Sequence, residues 1–109
     1  MRISTCPTAM VHAPRDVIWH LLTDPDTYEL WSGARLVAVT PAGYAQKGQR
    51  IQMRVRRFAR EFRVAFDMLD VDEPSGRMRF DVHLPFGIVN HETIKVSALG
   101  EAGTFVSFN

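Results

Sequence analysis

The spacing of apolar residues changes period once along this chain, from about 3.6 residues near the amino end to about two beyond residue 50. Met1 to His12 is β-friendly but poorly periodic and ends at Ala13-Pro14, where proline's fixed φ suits the first turn of a helix. In that helix Val17, Ile18, Leu21 and Leu22 fall on one side, and Asp16 stands in the first turn, where the helix dipole favours negative charge. Asp24-Pro25 stops it and supplies an N-cap and an N1 proline to a second short helix carrying Tyr28, Leu30 and Trp31, which runs out at Ser32-Gly33. Arg35 to Thr40 reads as an extended segment closed by Pro41-Ala42-Gly43, with Lys47-Gly48 turning into the next strand.

From Ile51 onward the pattern is all β. A hairpin spanning Ile51 to Asp72 and turning at Ala59-Arg60 pairs Val55 with Val64, Met53 with Phe66 and Ile51 with Met68. One face is then wholly apolar, and the other carries Gln52, Arg54, Arg56, Arg63 and Asp67; a slip of one residue would exchange the two. After the Glu73-Pro74-Ser75-Gly76 turn, Met78, Phe80, Val82 and Leu84 continue the apolar side. The strand Ile88 to Leu99 puts Asn90 and Glu92 on that side with Ile94 and Val96, and Thr104 to Phe108 is a final strand. The chain reads as a single α+β domain, 1–109, whose antiparallel sheet keeps one apolar face inward.

Composition narrows the class. At 109 residues, 46% hydrophobic and 23% charged, the chain fits one globular core. The single Cys6 allows no internal disulfide, and neither a signal peptide nor a membrane span is visible, so a soluble cytoplasmic protein is expected. Net charge is +1, yet Lys47 to Arg79 holds nine of the 13 basic residues against five of the 12 acidic ones. That local excess falls short of a nucleic-acid binder's balance. His12, His20 and His83 lack carboxylate or Cys partners at metal-ligand spacing, and there is no Gly-rich phosphate loop or nucleophile elbow, so no metal and no cofactor is expected.

Val11-His12-Ala13-Pro14-Arg15-Asp16-Val17-Ile18-Trp19, followed by Leu22-Thr23-Asp24-Pro25, Trp31 and the late Gly103-Thr104, resembles the bacterial START/Bet v 1-like (SRPBCC) proteins over about Thr8 to Phe108. The resemblance implies a helix-grip fold: a curved sheet of about seven strands, two short helices after the first strand, and a ligand cavity closed by a long C-terminal helix. No residue of this sequence follows Asn109 to supply that helix. Members of the superfamily bind lipids, hormones, polyketides or quinones, and some are aromatases, cyclases or hydrolytic enzymes.

Three functions follow as expectations. A binding module would hold a small hydrophobic molecule between the sheet and the short helices. Its wall would be Met53, Phe62, Phe66, Met68, Phe80 and Val82, with Trp19 and Trp31 at the entrance, Asn90 and Glu92 as polar anchors, and Arg57 meeting an acidic head group at the mouth. A cyclase or dehydratase would use Glu92 as acid/base, or His91 if the strand register slips by one and turns His91 and Thr93 inward. An interaction protein would close its open sheet face against a second copy. The arginines of the polar face read as a solvated convex surface, although Arg56 opposite Arg63 would set like charges face to face.

Overall fold

The computed structural model of the chain describes residues 8–108, apart from the side chains of residues 31, 32 and 57. β1 (Thr8–Val11) ends ahead of Pro14, the N-cap of α1 (Arg15–Thr23). The Asp24 carboxylate accepts from the Asp26 amide at 3.1 Å and opens a 3₁₀ turn, Pro25–Thr27, which runs directly into α2 (Tyr28–Ser32). Six strands follow: β2 (Arg35–Thr40), β3 (Arg50–Arg57), β4 (Arg60–Asp72), β5 (Arg77–His83), β6 (Val89–Leu99) and β7 (Gly103–Phe108). All pair antiparallel in one sheet of order β1-β7-β6-β5-β4-β3-β2. This is the α+β helix-grip arrangement that the sequence suggests.

Two details differ from the sequence reading. In α1 the buried stripe is Ile18, Trp19, Leu22 and Thr23, while Val17 and Leu21 are exposed. Both stripes obey helical spacing, and the larger indole goes to the sheet because it removes more apolar surface from water.

The β3–β4 hairpin turns at Phe58-Ala59 instead of Ala59-Arg60. Val55 therefore faces Phe62, Met53 faces Val64 and Ile51 faces Phe66. Phe58 and Ala59 sit at φ 53° and 61°, the pair of left-handed residues that a two-residue I′-type loop needs to match the twist of its strands. Each costs roughly 1–2 kcal/mol for a residue with a Cβ. The shift from the expected register is two residues, so every side chain of the hairpin up to Met68 keeps its face. The charge pairs change instead: Arg56 stands opposite Glu61, and it is Arg54 that faces Arg63.

Two single-residue bulges, at Val37 in β2 and Leu69 in β4, interrupt the ladders. The second lets Met68 and Val71 share the apolar face, opposite Phe80 and Met78. On that face Ile51, Met53, Met68, Met78, Ile94, Val96 and Val106 pack with Ile18, Trp19, Leu22 and Tyr28. Thr104 Oγ1 donates to the Ala13 carbonyl at 2.6 Å, tying β7 to the start of α1. The Ala45 amide donates to the Thr23 carbonyl at 2.6 Å, tying the β2–β3 loop to its end. α1 is thus clamped across one end of the sheet.

The opposite face is polar. Arg50, Asp67, Asp81 and His91 lie in one row across β3, β4, β5 and β6. Asp67 and Asp81 face each other, and each is answered from its side. Arg50 forks onto Asp67 at 2.7 and 2.9 Å, His83 Nε2 lies 2.8 Å from the same carboxylate, and His91 Nδ1 lies 2.5 Å from Asp81 Oδ1. The Arg50 hydrogen bonds hold the Asp67 carboxyl below the usual carboxylate range, against the opposing effect of desolvation.

Candidate functional site

The apolar face is sealed at one end and open at the other. At the sealed end Leu22 and Tyr28 descend from the helices onto Phe66, Met68, Met78, Phe80 and Ile94, leaving a cavity of ≈ 30 Å³. That is room for one water-sized occupant, far below the 300–1,000 Å³ of most ligand sites. The Phe66 and Phe80 rings lie 5.5 Å apart and tilted by 50°, a favourable aromatic geometry that fixes the floor. The Tyr28 hydroxyl is committed: it donates to the Leu22 carbonyl at 2.6 Å. Burial, and then the charge of Asp24, push its pKa up, so it stays a neutral donor.

Polar groups on this face are found toward the open end. Register sets Glu92 opposite Phe80 and Asn90 opposite Val82, on the face that carries Met78 and Ile94. Glu92 is half-buried and Asn90 exposed. Phe62, Phe66, Phe80 and Val82 are half-buried around the open stretch, whereas Met53 and Met68 are buried in the floor. A compact apolar molecule with one polar group would find aromatic and aliphatic contacts on the sheet and a hydrogen-bonding partner at its outer end.

The remaining candidates fall elsewhere. His91 pairs with Asp81 on the convex face, so the slipped register that turns His91 and Thr93 inward is not adopted. The reason is packing: a slip would exchange Ile94 and Val96 for Lys95 and Thr93 in the core. Trp19 is buried with the Arg15 guanidinium 5.9 Å from its ring and takes no part in the cavity; Leu22 and Tyr28 stand there in its stead. The side chains of Trp31 and Arg57 lie outside the described residues. Tyr28 was the residue to find from sequence, since it closes the first turn after the Asp24-Pro25 cap. Among the described residues no cluster of His, Cys, Asp or Glu could hold a metal ion, and no helix is long and apolar enough to cross a membrane.

No family model and no curated protein matches the chain. Solved structures do. CalU16 from Micromonospora echinospora superposes with a TM-score of 0.68 at 18% identity, over 94% of this chain and 55% of that one. DynU16, a protein of the dynemicin biosynthetic locus, gives 0.66 at 21% identity over 95% and 36%. Norcoclaurine synthase from Thalictrum flavum, in complex with dopamine and hydroxybenzaldehyde, gives 0.68 at 19% identity over 95% and 65%. The chain therefore has the Bet v 1-like fold of these proteins and spans between about a third and two thirds of their lengths.

Proposed function

We propose that the chain holds a small, predominantly apolar molecule, aromatic or polyketide-like, along the apolar sheet face, with Glu92 and Asn90 as its polar anchors. The observation that supports this reading is the β6 register, which puts two polar side chains on the face of Phe80, Val82 and Ile94 without interrupting the ladder. Glu92 is half-buried opposite Phe80, and a carboxylate so placed can accept a hydrogen bond from a ligand held on that face. A matched pair of probes tests it. 2-Naphthol should bind about tenfold or more tightly than naphthalene, the difference expected of one hydrogen bond to a charged group. Glu92→Leu should erase that preference while keeping naphthalene binding, and Phe80→Ala should weaken both. Two variants that bind both probes as the parent does would refute the proposal.

A second reading takes Glu92 as an acid/base on a bound substrate. It draws on the same carboxylate and on the likeness to a synthase whose structure holds an aromatic amine and an aldehyde. Turnover of dopamine with hydroxybenzaldehyde by the parent, lost in Glu92→Gln at unchanged naphthol affinity, would separate catalysis from binding alone. A second copy of the chain is the competing occupant of the face, and sedimentation with and without naphthol reveals it as a dimer that the ligand dissociates.

A further inference from the structure

The end of the sheet away from α1 carries a different chemistry. β4 and β5 are neighbours, paired through Ala65 and His83, so the β3–β4 and β5–β6 turns close at the same end of the sheet. Each turn has an aromatic residue at its apex. Phe58 is 95% exposed and Phe86 is 89% exposed, and both are held at positive φ, 53° and 67°. Phenylalanine has no reason of local backbone energy to occupy such positions, where glycine or asparagine is favoured. A solvated aromatic ring in a costly conformation at two adjacent tips is therefore better explained by something it touches than by the fold.

The charges around the first tip indicate what that is. Residues 54–63 include Arg54, Arg56, Arg57, Arg60 and Arg63 against the single acid Glu61, in a chain whose net charge is only +1. Arg60 stands in the first residue pair behind the Phe58-Ala59 loop and Arg56 in the second, opposite Glu61, so both lie within roughly 7 Å of the apex at the strand rise. Interfacial side chains reach about 5–10 Å into the headgroup and acyl boundary, so a buried Phe58 ring would leave these arginines level with lipid phosphates. Phe86 trails Phe58 by about four residues along the strand direction, roughly 13 Å, and would meet the surface only if the sheet tilts toward it.

We infer that the β3–β4 hairpin docks this protein on an anionic lipid surface, with Phe58 as the inserted side chain and the flanking arginines as the phosphate contacts. A nucleic acid fits less well, because the aromatic ring stands at an apex and not on a platform beside the charges. The inference is independent of what the apolar sheet face binds.

The test is co-sedimentation with vesicles of phosphatidylcholine alone and of phosphatidylcholine with phosphatidylglycerol, at low and high salt. Binding should require phosphatidylglycerol and weaken at high salt. Arg60→Ala and Arg63→Ala should each lower affinity by about fivefold, and Glu61→Gln should raise it by a similar factor. Phe58→Ser should lower affinity by at least about fivefold with an unchanged circular dichroism spectrum, since so exposed a ring contributes little to the core. Vesicle binding that ignores phosphatidylglycerol, or that Phe58→Ser leaves intact, overturns the inference. So does an absence of vesicle binding, or binding to a short oligonucleotide that Phe58→Ser does not affect.

Discussion

Among the described glycines Gly76 leaves the least room for a side chain, and replacing it with alanine gives a sharp test of how the sheet is closed. It sits at φ 68° in the β4–β5 turn, where its amide donates to the Glu73 carbonyl at 3.0 Å and its carbonyl accepts from the Val96 amide at 2.7 Å. A Cβ there would lie 2.2 Å from the Val96 carbonyl oxygen and 2.9 Å from Arg15 Nη2. The arginine end can swing away. The β6 backbone cannot, because Val96 is buried in the core and paired with Val106 on β7. Three costs follow: about 0.5–1 kcal/mol for a Cβ at left-handed φ, net of the freedom glycine has in the unfolded chain, about 1 kcal/mol for the weakened Val96 to Gly76 hydrogen bond, and about 1–3 kcal/mol for strain as β6 shifts. Gly76→Ala should thus lose roughly 2.5–5 kcal/mol, a large share of the stability of a domain this size.

Gly48→Ala is the matched control. Gly48 is also left-handed, at φ 86°, and also bonds across the fold, from its amide to the Met68 carbonyl at 2.8 Å, yet an added Cβ meets nothing within 4 Å. It should cost only the conformational share, about 0.5–1 kcal/mol. Urea unfolding followed by circular dichroism measures both, and the difference of roughly 2–4 kcal/mol isolates the contact with β6. Equal losses in the two variants would refute the steric account of the turn.

Two further outcomes rest on other parts of the sheet. Ala59→Gly should stabilise by about 0.5–1 kcal/mol, because relief of the left-handed conformation slightly exceeds the extra freedom of glycine in the unfolded chain; thermal unfolding that stays flat or falls would show that the I′-type turn is not strained. Asp67 has its folded pKa depressed, chiefly by the Arg50 hydrogen bonds, so its contribution is present above the ordinary carboxylate range and fades as pH falls through the folded value. Asp67→Asn should melt below the parent at neutral pH, with a gap that closes below about pH 4; a gap that persists or widens in acid would remove the ion pair as its cause.

What the sequence disclosed, it disclosed through parity. Alternation assigned each side chain from Ile51 to Met68 and from Met78 to Val96 to a face, and those faces hold because burial penalises an odd slip so heavily; only past the Leu69 bulge, at Asp70 to Asp72, do the assignments reverse. The hairpin register was hidden for the same reason: an even shift leaves the alternation untouched, and Phe58-Ala59 lacks the Asn-Gly chemistry that marks an I′ turn. In α1, Val17 and Leu21 are as apolar as the residues that are buried, so composition could not set the helix rotation to within one residue. The same ambiguity hid the inward turn of Trp19, which reads from the sequence as an entrance residue and is buried against the sheet, while Leu22 and Tyr28 line the small cavity. Asn90 and Glu92 were legible because polar residues break an apolar run, a signal that needs no knowledge of the turn.

The bulge at Leu69 has a bearing on how chains of this fold can change length. In a two-faced sheet a lone inserted codon inverts everything downstream of it, whereas Leu69 stands outside the ladder and belongs to neither count. Deleting it would rejoin Met68 to Asp70 as a regular strand with Val71 still opposite Met78, costing local twist and leaving the core composition unaltered. The position is therefore a neutral hinge for deletion. Descendants that lose this one residue keep the same interior, while a loss two positions earlier, inside the Phe66 to Met68 run, would break the alternation of that run.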